Sequence, residues 1–166
     1  MPTDAPFRLD PELIRFMTGG LSINTGSGRP DGPPSQCRTH GCRVDPGGRR
    51  VTVFLPASQA ADLLRDVRHT GAIAVVFSEP PTHRTVQIKG RDARVEPLAD
   101  GDAAQVAAYR TAFVQCLLPL GFTEPMVRAL LGGPDADLVA VGFTPEAAVN
   151  QTPGAQAGSA LARGSW

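Results

Sequence analysis

The residues best equipped for chemistry lie between His83 and Lys89, in the run His-Arg-Thr-Val-Gln-Ile-Lys. Side chains alternate across a strand, so Val86 and Ile88 fall on one face, and His83, Thr85, Gln87 and Lys89 on the other. The apolar pair belongs in a core. The polar set forms a row that could meet a ligand, although a solvated sheet edge would show the same alternation. Gly90 lets another backbone approach closely. Lys89 is also the sole lysine of the chain.

A second constellation is Cys37, His40 and Cys42, which could supply three soft ligands to a metal ion. No fourth ligand stands nearby, and a regular strand sends Cys37 and Cys42 to opposite faces. Buried thiols are the expectation, and no metal site is assigned. His40, His69 and His83 are scattered and support no Ser-His-Asp or Cys-His arrangement, so no catalytic residue is assigned either. His69 ends a helical pattern, where a cation suits the dipole, whereas His83 stands at the entrance of the polar row and could touch a ligand. The loop Gly26 to Gly32 is not a dinucleotide fingerprint, because Pro33-Pro34 prevents the helix that must follow it.

The elements that must position these residues follow from periodicity. Pro11 to Phe16 reads as a short helix after a loose lead-in over residues 1–10, and LSIN as a first strand. A loop over 25–36 leads to a strand from Cys37 to Val44, paired as a hairpin with Val51 to Leu55. Ser58 is placed to cap a helix whose stripe is Ala60, Leu63, Leu64 and Val67, with Gly71 as its stop. GAIAVVFS (71–78) predicts a strand buried on both sides, and 82–97 a longer strand after the Pro80-Pro81 bend. Val106, Tyr109, Phe113 and Leu117 recur at helical spacing, as a stripe for core or dimer packing. Thr123 and Pro125 open another helix, and 137–143 is a last strand. The segment 144–166 carries too much Gly, Pro and Ala for regular structure. Without a βαβ repeat, the order predicts mainly antiparallel β with peripheral helices in a single domain over 11–143.

Composition narrows the function classes. The chain has 166 residues, with sixteen basic residues against sixteen acidic ones. That balance gives poor support for nucleic-acid binding. Three cysteines are too few for a disulfide framework, no signal-peptide pattern opens the sequence, and no apolar run approaches a membrane span. These features point to a soluble cytoplasmic protein.

The run HRTVQIKG, together with FLPASQAADLL upstream, resembles the flavin-meeting strand and the phosphate-side helix start of the pyridoxamine 5′-phosphate oxidase-like family. The likeness extends from Leu13 to Leu161, and the tail NQTPGAQAG is similar to one branch of that superfamily. It implies an FMN-binding split β-barrel, antiparallel and Greek-key-like, forming a homodimer with the cofactor in a cleft between subunits. Arg38 and Arg43 match the spacing of an Arg and a Lys that hold the FMN phosphate. Ser58 and Gln59 match the start of a Ser-Arg-Lys phosphate motif, whose two basic residues are missing here. Thr85 matches a Gln near the flavin, in a run that also brings His83, Arg84, Gln87 and Lys89 to the site. Arg38 and Arg43 would face opposite sides of a regular strand, so joint phosphate binding requires a bend, which Gly41 could supply. The implied function is an FMN-dependent oxidoreductase of unknown substrate. Alternatives are a non-enzymatic module holding flavin, deazaflavin, haem or another planar ligand, and a scaffold that has lost its cofactor.

Overall fold

The structure is a computed structural model and describes residues 6–161. Among these described residues, nine strands form two antiparallel sheets, with four α-helices around them. The strands are β1 (Ser22–Ser27), β2 (Ser35–Arg38), β3 (Cys42–Val44), β4 (Val51–Pro56), β5 (Ile73–Ser78), β6 (Thr85–Gly90), β7 (Arg94–Glu96), β8 (Leu138–Phe143) and β9 (Ala147–Asn150). The helices are α1 (Pro11–Met17), α2 (Ala61–Thr70), α3 (Asp102–Leu117) and α4 (Glu124–Leu130). One sheet has the order β2-β1-β5-β6-β9 and the other β3-β4-β8-β7. No helix among the described residues is long and apolar enough to cross a membrane.

The expected strand from Cys37 to Val44 is broken, because the chain changes sheets within it. Thr39 N–H still donates to Ile23 C=O of β1 at 2.9 Å, whereas the next N–H, of His40, donates to Phe54 C=O of β4 at 2.8 Å. Gly41 then accepts from Phe54 N–H, with φ at +107°. The long strand expected over 82–97 breaks in the same manner at Arg91–Ala93, dividing β6 from β7. A third passage, from β8 to β9, runs through Thr144–Glu146 and is tied by Thr144, whose N–H and hydroxyl both donate to Asp92 at 2.7 Å. Periodicity is blind to these corners, since alternation continues through a change of partner.

Between the sheets lies one main core, in which Ile23, Val53, Leu55, Val75, Phe77, Ile88, Val141 and Phe143 are buried. The α2 stripe Ala60, Leu63, Leu64 and Val67 packs into it, and Gly71 caps that helix in the left-handed region as expected. The α3 stripe is core as well. Tyr109 stacks on Phe113 and donates its hydroxyl to Leu21 C=O at 2.6 Å. The strand β5 corrects an expectation: only Ile73, Val75 and Phe77 are buried, while Ala74, Val76 and Ser78 on the other face are half-exposed. Ser58 does not cap α2, because its N–H and hydroxyl both donate to Asp137 at 3.0 and 2.6 Å, and the helix starts at Ala61. The segment after 144 also departs from the reading as irregular, since it supplies β9; residues 162–166 and 1–5 lie outside the described residues. The lead-in is anchored from Leu9, which is buried and donates its N–H to Gly48 C=O.

Gly41 is the residue on which the first corner turns. A Cβ there would lie 2.9 Å from Tyr109 Cβ, in a backbone region that L-residues rarely adopt. Gly41→Ala should therefore cost at least about 2 kcal/mol of stability, read as a lower urea midpoint with an unchanged slope. A midpoint equal to that of the parent protein would contradict this account of the corner.

Candidate functional site

Alternation in the five-stranded sheet leaves one face inside the core and the other uncovered. Register places the uncovered side chains in three rows. The first joins Ser22, Ser78 and Thr85; the second Arg38, Asn24, Val76, Gln87 and Val149; the third Gln36, Gly26, Ala74, Lys89 and Ala147. Thr85, Gln87 and Lys89 thus share a face, as the sequence implied, and Arg38 joins them in the row of Gln87. Successive rows are about 6.8 Å apart, and Arg38 stands three strands, roughly 14 Å, from Gln87.

The polar groups on this face differ in how far they are already engaged. Thr85 donates to His83 C=O at 2.9 Å and meets the Ser78 hydroxyl at 2.8 Å. Its backbone is clamped by the segment after β9: Thr85 N–H donates to Thr152 Oγ1, and Gln151 N–H to Thr85 C=O. Gln87 Oε1 accepts from Gln151 Nε2 at 3.4 Å. Arg38 donates to Ser22 Oγ at 3.3 Å. The two residues before β6 stand apart from this face. His83 is exposed in the β5–β6 turn with φ at +61°, and Arg84 lies over the Phe16 ring, 4.6 Å from its centroid.

The other residues matched by resemblance are held by different partners. Gly41 provides the bend that joint binding by Arg38 and Arg43 required, yet Arg43 is a two-pronged partner of Asp102, with Nε 2.8 Å from Oδ1 and Nη2 3.3 Å from Oδ2. Hydrogen bonding to Asp102, partly opposed by burial, raises the Arg43 guanidinium above its ordinary range. Asp102 is buried and also accepts from Ala99 N–H at 2.9 Å. Ser58 is bound to Asp137, so carboxylates occupy both hydrogen-bonding positions. Gln59 is exposed at the start of α2, beside a small cavity that it shares with Gln36.

At one end of the uncovered face the third row forms the floor of a cleft of about 750 Å³. Gly26, Ala74 and Ala147 keep that floor low, and Lys89, Arg91 and Glu146 stand along it. The facing wall is the loop that precedes β2, held in place by Asp66 of α2. The Asp66 carboxylate is buried, accepts from Ser35 Oγ at 2.7 Å and lies 2.8 Å from Arg29 Nε. This cleft was not legible in the sequence: its floor is a row of small residues from different strands, aligned only by register.

Cys37, Cys42 and His40 belong to the interior. Cys37 faces the core from β2 and Cys42 from β3, in different sheets. Burial pushes the Cys42 thiol up to about 12, and its Sγ lies 3.2 Å from Met17 C=O. No group of three or more His, Cys, Asp or Glu placed to hold a metal occurs among the described residues. His40 is 1% exposed, and its Nδ1 lies 3.4 Å from Arg110 Nη2. Burial, then the charges of Arg110 and Arg38, lower its pKa to about 4, so the ring is neutral at neutral pH and Nδ1 accepts from the guanidinium.

No family model matches the sequence, and no curated protein matches it. Solved structures do. HupZ of Group A Streptococcus is 14% identical, with 90% of this chain and 99% of that one covered at a TM-score of 0.53. An F420 reductase is 19% identical over 81% and 93% of the two chains, at 0.51. A candidate pyridoxamine 5′-phosphate oxidase from Lactobacillus delbrueckii is 14% identical over 85% and 93%, at 0.50. The chain has the fold of the pyridoxamine 5′-phosphate oxidase-like proteins.

The state of His40 makes stability depend on pH. The unfolded histidine takes a proton near 6.5 and the folded one only near 4. The unfolded state therefore binds more protons between those values, and stability, complete above 6.5, falls as pH drops through this window. From pH 7 to pH 5 the loss should be about 2 kcal/mol. Urea midpoints measured at both values should show it, and His40→Gln, which cannot be protonated, should flatten the dependence. An equal fall in both proteins would assign it to other groups.

Proposed function

We propose that this protein binds a flavin, either FMN or a deazaflavin, on the uncovered face of its five-stranded sheet and uses it in an oxidoreductase reaction. The observation that carries this reading is the row Arg38, Asn24, Val76, Gln87, in a fold shared with an F420 reductase. Val76 offers an apolar surface to a ring, the Asn24 and Gln87 amides lie on either side of it, and Arg38 supplies positive charge for a phosphate. The donor set fits the ring better than it fits a dianionic phosphate, because Arg43 and Ser58 are engaged by Asp102 and Asp137. A bound flavin would supply hydride or electron transfer. The chain itself would orient the ring through the two amides and hold the phosphate side through Arg38.

In this reading the two sheets, joined at three corners, are the halves of a split barrel, and a second copy of the chain covers the flavin row. The half-exposed Val76 and Val149 of that row suit a two-fold contact, and the row of Lys89 beside it stays open. The rival reading is a non-enzymatic module that holds flavin, haem or another planar ligand. It draws support from the same two carboxylates, which thin the charge available to a phosphate.

The visible spectrum of the purified protein separates these readings. Flavin absorbance, or FMN uptake with quenched fluorescence at micromolar protein, is expected. A Soret band would favour haem, and a colourless protein that binds neither FMN nor a deazaflavin in calorimetry would remove the flavin reading. Arg38→Ala should weaken FMN by about ten- to a hundredfold, and riboflavin, which lacks the phosphate, much less. Arg43→Ala should instead act on stability, on the order of 2 kcal/mol, because it leaves the buried Asp102 carboxylate without its cation. Equal losses of FMN and riboflavin in Arg38→Ala would place the phosphate elsewhere. Light scattering should give the mass of two chains; one-chain mass across a concentration series would contradict the dimer.

A further inference from the structure

We propose that the cleft beside Lys89 is a second binding site, distinct from the flavin row, for a flat organic anion such as an aromatic carboxylate. The size fits, since about 750 Å³ lies within the range of small-molecule pockets. The shape fits a planar body. Gly26, Ala74 and Ala147 give a floor with almost no relief, and a Cβ built on Gly26 meets nothing nearer than the Ser35 carbonyl oxygen at 3.6 Å. The space above that floor is open.

Charge decides the sign of the ligand. Among the polar groups that line the cleft, Ser27 donates its hydroxyl to Ala72 C=O at 2.7 Å and Ser35 donates to Asp66 at 2.7 Å. Arg91 and Glu146 face each other at 3.6 Å. That leaves the neutral Gln36 amide and Lys89, whose ammonium has no ion-pair or hydrogen-bond partner among the described residues. A single free cation beside an apolar floor selects one negative charge on a mostly apolar molecule. The floor adjoins the row of Val76 and Gln87, so an anion held here would lie next to a ring bound there, as a substrate would. The binding claim itself does not rest on the flavin reading.

Lys89 makes the test unusually direct, because it and the α-amino group are the only primary amines in the chain. The probe is 2-naphthoate, with 2-naphthalenemethanol as its uncharged counterpart, titrated by calorimetry into the purified full chain with and without saturating FMN. 2-Naphthoate should bind about tenfold or more tightly than the alcohol. Lys89→Met should erase that advantage, and Ala74→Met, which raises the floor and keeps the charge, should weaken both ligands. Acetylation followed by mass spectrometry should show Lys89 protected by 2-naphthoate while the α-amino group reacts as before. Saturating FMN, where it binds, should leave the naphthoate titration in place; if FMN does not bind, the result without it stands alone. Equal affinity for acid and alcohol, an unaffected Lys89→Met, or unprotected Lys89 would each overturn the proposal. So would displacement of 2-naphthoate by FMN, which would make the cleft the flavin site, or protection of Lys89 that rises with protein concentration alone, which would make it a contact between copies.

Discussion

Two consecutive N–H groups, those of Thr39 and His40, donate to carbonyls in different sheets, and the whole arrangement depends on that handover. A strand that kept one partner through residue 44 would leave β4 without β3 and the second sheet without that edge strand. The handover requires a backbone turned by Gly41 and a Tyr109 side chain packed where a Cβ would otherwise be. It also buries Thr39 and His40, whose polar atoms must find partners inside. Thr39 meets the Thr25 hydroxyl at 2.7 Å, and His40 meets Arg110. The corner is therefore both a tightly constrained part of the fold and one source of its buried polar chemistry.

From the corner outward, the uncovered face follows by register alone. Once β2 pairs with β1 beyond the bend, Arg38 must fall in the row of Asn24, Val76 and Gln87. Beyond the bend in the other direction, Arg43 points toward the start of α3 and meets Asp102. One peptide turn thus sends two arginines of similar sequence context to different places, one to the uncovered face of the sheet and one into the framework. Asp66 plays a comparable part for the cleft, since its buried carboxylate fixes the Gly- and Pro-rich loop that forms the wall.

Much of this was legible from residues alone. The stripes Leu63-Leu64-Val67 and Val106-Tyr109-Phe113-Leu117 announced α2 and α3, and the alternation from Thr85 to Lys89 announced which side chains share a face. The corners were not legible, because a strand that changes sheets keeps its period. The Ser58 error has a definite cause: its partner Asp137 is remote in sequence, and a local capping rule cannot see it. The breadth of β5 was misread because an apolar run looks the same whether its second face is covered by its own chain or left open. The cleft depended on Gly26, Ala74 and Ala147, small residues with no signal of their own until three strands align them.

The pairing of β4 with β8 carries a further consequence. Val51 lies opposite Phe143 and Pro56 opposite Leu138, so the central ladder of the second sheet joins two distant stretches of chain. Such a ladder cannot form until the intervening segment has been drawn together. The entropy of closing that loop is spent before its hydrogen bonds and side-chain contacts give any return. Local helix–coil exchange in the segment between is much faster, on the order of a microsecond. Refolding of this molecule should thus be limited by a search for one long-range alignment, and until that alignment is found the apolar side chains of β4 and β8 have no shelter.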